Sequence, residues 1–398
     1  MRKTSQLSNL RRRVAVTLLT LLVYMLGSSI PVPFARFTKS FHHLLNNTPL
    51  SVVSFMSGAN FQKLSLLFMI GLNPLMIAML IMQLLMMMKL FSLDSLSMRQ
   101  MMVVQQFVTL ILTLIQAITL VIGLHLTSDI LQAIAVIIIL TAGSLFVVWM
   151  GYMNMEFGIG GTIMIVLFNM VTMSLPNLKK AVQRITTLGH PAFWIVALIL
   201  VGILAIIFWN AFGHAYYPVK TINTSMPSSA KPIIVPIGLN SGAMMTYMIG
   251  MALLMFPTMI GSLLGRDSIF ANVYFDAIIS GLLAFGLFYF FAFMQFNPKE
   301  QAKQLRNSNN YVLGIRPGKP TQEYLKQKLL RVSFWGALLN AIQLALGLLG
   351  NQLLGKFAGF AVIPMNIVML VMFMTGIKDQ LLTLLFPSRY EKLMKKEG

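Results

Sequence analysis

Long apolar runs alternate with short polar stretches along the chain. Ten runs are predicted to be helices, near 14–30, 64–88, 102–126, 130–150, 158–175, 193–213, 240–260, 271–296, 332–354 and 358–377. Each is close to the roughly 20 apolar residues that a helix needs to cross hydrocarbon. One polar stretch is much longer than the others, Asn297 to Arg331. It carries eight Lys or Arg, opposed only by Glu300 and Glu323. Its centre runs Gly314-Ile315-Arg316-Pro317-Gly318-Lys319-Pro320. Pro317 and Pro320 bias the residues before them away from helix, and Gly314 and Gly318 permit backbone angles that other residues avoid. The segment is predicted to be a rigid turn on a large basic loop, with Arg316 presented outward to a partner.

Composition supports the membrane reading. Of 398 residues, 57% are hydrophobic and 10% charged, with mean hydropathy +0.79, which no ordinary soluble fold shows. A net charge of +20 would suggest nucleic acid in a soluble protein. Here the charge follows the loops instead, so no nucleic-acid partner is expected and the medium is membrane lipid. An even number of spans puts both termini on one face. With that face cytoplasmic, 22 of the 30 Lys and Arg lie inside. The opposite orientation would invert this bias, so cytoplasmic termini are predicted. Lys179, Lys180 and Arg184 fall on the outer face as local exceptions. The start, Arg11-Arg12-Arg13 before Val14, has the form of a signal peptide, but the apolar run is long for one and more spans follow. A retained first helix is expected.

Few residues offer catalytic chemistry. With no Cys there is no disulfide, thiolate nucleophile or Cys-ligated metal. His42 and His43 are adjacent, which is not ligand spacing on a helix face. Phosphate-cradling, zinc-protease and nucleophile-elbow motifs are missing from the sequence. No enzyme activity, metal or cofactor is expected, and energy for uphill movement must come from a partner or an ion gradient. Gly71 and Pro74, Gly158, Gly160 and Gly161, and Pro364 interrupt spans, and such breaks usually face protein or water. Asn73, Gln83, Asn169, Asn240 and Asn340 place amides in or beside spans, mostly to join helices. Asp276, near the outer end of the eighth span, is read as hydrated or paired and structural. Most of the 32 Met fill gaps or meet lipid, but Met76, Met245, Met248 and Met369 could form a deformable apolar constriction.

Several segments, in order, resemble SecY, the bacterial protein-conducting channel. Gly27-Ser28-Ser29-Ile30-Pro31-Val32-Pro33 resembles the end of that family's first helix. Ser57-Gly58-Ala59, Gly71-Leu72-Asn73-Pro74 and Met82-Gln83-Leu84-Leu85 resemble its plug and second helix. Thr141-Ala142-Gly143, Trp149-Met150-Gly151 and Glu156-Phe157-Gly158-Ile159-Gly160 resemble its junction between helices four and five. Leu239-Asn240-Ser241-Gly242 and Leu254-Met255-Phe256-Pro257 bracket its seventh helix. Asn297-Pro298 and Gly314-Ile315-Arg316-Pro317-Gly318 resemble its loop between helices eight and nine, and Ser388-Arg389-Tyr390-Glu391 its C-terminal tail.

The resemblance implies an all-α polytopic membrane protein of ten transmembrane helices in two pseudosymmetric five-helix halves, residues 1–190 and 191–398. The first half would hold helices 1–5 and a plug near 50–63, including Ser57, Gly58 and Ala59. The second would hold helices 6–10 with cytoplasmic loops at 214–239 and 297–331. The halves would clamp an hourglass pore with a lateral gate between helices two and seven. Carried over position by position, the apolar pore ring falls on Leu72, Met76, Ile163, Leu167, Met248 and Met369. Such a waist resists leakage while yielding to a passing chain. Gly314, Arg316, Pro317 and Lys319 would dock a motor ATPase.

Some features depart from the housekeeping pattern. The loop from Leu90 to Gln100 is short, with only Asp94 and Arg99 charged. From Asn210 to Leu239 there are only Lys220 and Lys231, where the family is strongly basic. Gly161 stands where a polar residue is usual, the run from Ser57 to Gly71 needs a one-residue offset, and Thr246-Tyr247 replaces an internal Pro. These departures resemble SecY2, the accessory channel group of some Gram-positive bacteria. That group implies a SecA2-like motor, accessory Sec proteins, SecE-like small subunits, and unfolded or glycosylated preproteins, above all serine-rich adhesins. Two other readings stand beside it: a general housekeeping channel, and an ion-coupled small-molecule transporter. The scarcity of intramembrane charge argues against the last.

Overall fold

The computed structural model describes residues 2–33, 67–87, 97–123, 127, 129–186, 191–224, 232–247, 273–353 and 358–385. Among these the helices are α1 (Arg2–Gly27), α2 (Asn73–Met87), α3 (Met98–Gly123), α4 (Ile130–Phe157), α5 (Gly161–Thr186), α6 (Pro191–His214), α7 (Ala243–Met245), α8 (Val273–Gln295), α9 (Pro298–Asn307), α10 (Lys319–Leu353) and α11 (Ala358–Leu385). Five described helices are long and apolar enough to cross a membrane, and α2 and the first part of α5, Gly161–Thr172, are shorter apolar stretches. Several helices run well past the predicted spans: α4 continues to Phe157, and α10 begins within the basic stretch at Lys319.

The chain divides into two compact units, one formed by Met1–Asn177 with Phe373–Gly398 and the other by Leu178–Met372. In the first unit, the segment from Leu67 to Gly71 threads between α1 and α4. Tyr24 stacks on Phe68 with ring centroids 5.6 Å apart, and Phe68 stacks on Phe146 at 6.1 Å. Two glycines admit this segment. A Cβ at Gly27 would strike the Phe68 ring, and one at Gly143 would strike the Leu67 carbonyl oxygen. Val32, Met69, Ile70, Ala117, Val121, Val136 and Leu140 continue the core. Hydroxyls along these helices satisfy themselves locally: Thr17 donates to the Arg13 carbonyl at 3.0 Å, and Thr113 to that of Thr109 at 2.7 Å. An apolar medium requires such internal pairing.

In the second unit α8 packs along α10. Gly242 lets the start of α7 approach the Phe288 carbonyl, and Gly336 lets α10 approach that of Leu239. The Asn340 side-chain amide donates to Asn240 Oδ1 at 2.8 Å and to the Gly336 carbonyl at 2.7 Å. This is the helix-joining role expected of those amides. By contrast α6 exposes apolar residues on all sides, among them Phe193, Trp194, Ile199, Val201 and Ile207. A helix apolar all round with no protein cover is suited to lipid.

The all-α expectation requires one correction, since the described residues include a three-stranded sheet ordered β2-β1-β3. β1 is Tyr216–Asn223, β2 is Ile233–Gly238 and β3 is Asn310–Val312, all antiparallel. Alternating β-branched residues drive it: Val219 and Thr221 on β1, Ile233, Val235 and Ile237 on β2. Pro218 pairs opposite Pro236. Pro236 removes an N–H donor from β2, which blunts the strand against further pairing.

Candidate functional site

The basic stretch is a folded module rather than a loop. Asn297 caps α9, its side-chain oxygen accepting from the N–H groups of Lys299 at 3.1 Å and Glu300 at 3.4 Å. Pro298 takes the first helical position, where no N–H is needed. Pro298, Ala302 and Leu305 turn inward at helical spacing. Ala302 and Leu305 join Val219, Ile237, Val312, Leu325 and Leu329 in one apolar core. Segments about 80 residues apart in sequence therefore share an interior, at positions such as Val219 and Ala302.

The Gly-Ile-Arg-Pro-Gly turn is fixed on this core. Gly314 and Gly318 have φ of 75° and 106°, which a side chain would strain. The Ile315 N–H donates to the Val312 carbonyl at 3.2 Å, and the Thr321 hydroxyl to that of Arg316 at 2.8 Å. Ile315 packs inward, whereas Arg316 and Pro317 are exposed. Lys319 and Pro320 open α10 instead of continuing the turn, which corrects the irregular extent expected there. Proline is compatible with a first helical turn. Lys220, Lys299, Lys303, Arg306, Arg316, Lys319, Lys326 and Arg331 are exposed around the module, with only Glu300 and Glu323 as acids on its helices.

The first unit holds most of the predicted ring residues. Leu72 is fully buried, Met76 and Leu167 are buried, and Ile163 is half-buried. Gly71, with φ of 60°, turns the chain into α2, and its carbonyl accepts from the Ser144 hydroxyl at 2.8 Å. Met369 is buried in the second unit. Met248, the Ser57-Gly58-Ala59 plug, Leu254-Met255-Phe256-Pro257, His42, His43 and Ser388-Arg389-Tyr390-Glu391 lie outside the described residues, as do the side chains of Asp276 and Pro364.

At the α4–α5 turn the Asn154 amide donates to the Ile159 and Gly161 carbonyls, both at 2.9 Å. The Ile159 N–H donates to the Thr17 hydroxyl at 2.9 Å, and Arg13 donates to the Gly158 carbonyl at 3.2 Å. The Gly160 N–H donates to Gln380 Oε1 at 2.7 Å. Within this unit the middle of α1, at Arg13 and Thr17, the α4–α5 turn and the C-terminal part of α11 thus meet. Sequence reasoning singled out the glycines of this turn but missed Asn154, Thr17 and Gln380, whose partners are distant in the chain.

The SecY family profile matches residues 66–375. The accessory Sec system protein translocase subunit SecY2 of Lactobacillus johnsonii is 45% identical over 98% of this chain and 98% of its own length. The corresponding subunit of a Streptococcus pneumoniae strain is 30% identical over 94% of this chain and 95% of its own. The protein translocase subunit SecY of Halalkalibacterium halodurans is 27% identical over 85% of this chain and 86% of its own. Among solved structures, one described as "The structure of a protein conducting channel" superposes with a TM-score of 0.62 at 16% identity, covering 95% of this chain and 94% of that one.

Proposed function

Because the chain belongs to the SecY family, and within it to the SecY2 group, we propose that it is the accessory Sec channel through which a dedicated motor drives a specialised preprotein across the plasma membrane. The coarser part follows from the family: a multi-pass plasma-membrane protein that conducts polypeptides and is no enzyme. The observation that carries the accessory assignment is 45% identity along 98% of the chain to a SecY2 protein, against 27% to a housekeeping SecY.

In the finer reading ten helices cross the membrane with both termini in the cytoplasm, in halves of residues 1–190 and 191–398. Arg13, just before the apolar run of α1, and Gln380 of α11 both bond to the α4–α5 turn, which supports termini on a common face. Leu72, Met76, Ile163, Leu167, Met248 and Met369 form the apolar ring, closed by a plug at Ser57, Gly58 and Ala59. The substrate is a serine-rich, glycosylated adhesin. A SecA2-like motor docks on Gly314, Arg316, Pro317 and Lys319, with accessory Sec proteins and SecE-like small subunits completing the complex. The turn's anchorage on a packed core supports this docking: Arg316 is presented outward without ordering a loop at each encounter, which lowers the entropic cost of binding.

The test is photo-crosslinking from Arg316 and Lys319 positions to purified SecA2-like and housekeeping motors, in membranes. Preferential capture of the SecA2-like motor, lost in Arg316→Glu, is expected. Equal capture of both would defeat the dedicated pairing. Depletion separates the channel types: loss of a single adhesin fits the accessory role, and loss of bulk secretion fits a housekeeping one.

A further inference from the structure

The residues at the start of α5 carry no side chain that could cap it. Gly160 precedes the helix and Gly161 opens it, with φ of 77° and 52°. These left-handed angles favour glycine, which has nothing to cap with. A helix start leaves N–H groups without helical partners, and away from water they need acceptors. In a capping box, the residue three places after the cap turns an acceptor back to the cap's own N–H. Three places after Gly160 stands Ile163, whose side chain has no acceptor.

The acceptor comes from α11 instead. The Gly160 N–H donates to Gln380 Oε1 at 2.7 Å, across 220 positions of sequence. Ile377, one turn earlier on the same face of α11, is buried against the same glycine. A Cβ on Gly160 would crowd Ile377 Cγ1 at 3.2 Å. The other helices serve other groups of the turn. Asn154 on α4 donates to the Ile159 and Gly161 carbonyls, and Arg13 on α1 to that of Gly158. Thr17 on α1 accepts from the Ile159 N–H at 2.9 Å. The last N–H before α5 is thus left to Gln380.

We infer that Gln380 is a positioning residue of the channel's seal: it caps α5 from α11 and so fixes the height and rotation of Ile163 and Leu167. A local capping box would have required Glu or Gln at the third position of α5. Supplying the acceptor from α11 frees that position for the apolar Ile163. Ile163, half-buried, and Leu167, buried, stand one turn apart on the helix that this cap begins. Fraying of the first turn would release Ile163 before Leu167. The consequence for the seal rests on the placing of these two residues in the apolar ring; the cap itself does not.

The test is hydrogen exchange of the full chain in nanodiscs, read by mass spectrometry, beside its resting ion conductance in planar bilayers. Gln380→Leu should speed exchange in peptides covering 158–167 roughly fivefold, the loss expected of a helix cap. Resting conductance should rise with it. Gln380→Glu keeps an acceptor and suits a helix N-terminus, so both readouts should stay at the wild-type level. Gln380→Lys is of similar length but only a donor, and should behave as Gln380→Leu does. Peptides of α8 should exchange alike in every variant, which separates loss of the cap from unfolding. Unchanged exchange in Gln380→Leu, or wild-type behaviour of Gln380→Lys, would overturn the inference. Ile163→Lys checks the ring separately. Leakage from Ile163→Lys with none from Gln380→Leu would overturn the positioning role. No leakage from either would mean that the ring placement had failed, with exchange alone deciding the cap.

Discussion

Substituting Ala for Gly336 should destabilise the second unit, while the same change at Gly286 should not. Both glycines lie within helices, α10 and α8. A Cβ at Gly336 would meet the Leu239 carbonyl oxygen and lie 2.6 Å from Phe288 Cζ. Phe288 is fully buried and has nowhere to retreat. Forcing an extra methyl into packed surroundings costs about 1–3 kcal/mol. At Gly286 a Cβ would meet nothing within 4 Å. Alanine there should gain helical propensity, up to about 1 kcal/mol. The two variants should therefore differ by roughly 2–4 kcal/mol in reversible unfolding in mixed micelles. The cause can be checked separately. Displacing the Leu239 carbonyl also shifts Asn240, which accepts from Asn340 at 2.8 Å. Such bonds between membrane helices are worth about 0.6 kcal/mol on average. Asn340→Leu should consequently cost less in the Gly336→Ala background than alone. Equal stability of the two glycine variants, or strict additivity with Asn340→Leu, would refute the reasoning.

Leu329→Ala should destabilise the basic module by about 2–5 kcal/mol, because Leu329 is fully buried in its core, and faster protease cleavage near the Arg316 turn would report it. Asn154→Leu should lower stability by about 1–3 kcal/mol in a thermal melt, because two carbonyls of the α4–α5 turn lose their donor. Ile163→Lys should raise ion leakage in planar bilayers if Ile163 belongs to the ring, and unchanged conductance would remove it from the constriction.

Much of the helical plan was legible because each long helix carries its own apolar signal. α3, α6 and α8 lie within a few residues of the predicted spans 102–126, 193–213 and 271–296. Polar ends of helices were harder to see. α10 starts thirteen residues before the apolar run near 332, because Lys319 to Arg331 is amphipathic and its burial depends on partners from β1, β2 and α9. The sheet was missed for a related reason. β1 and β2 are short, and their pairing with each other and with β3 is set by tertiary contact rather than by a long pattern. Of the candidate site, the Gly314–Gly318 turn was readable from residue types that admit few conformations. The contact of the Lys328 ammonium with the Tyr217 ring, 4.7 Å from its centroid, was not, because the two residues are far apart in the chain and only the fold brings them together.

The shared interior of the basic module limits how this surface can be exchanged. Val219 and Ile237 come from one inter-helical connection, and Ala302, Leu305 and Val312 from another, yet they occupy a single core. A chimera that transplants only residues 297–331 into another channel would leave Ala302 and Leu305 facing strands they do not fit. Exchanging partner preference between channels should therefore require both connections to be grafted together, as one heritable cassette.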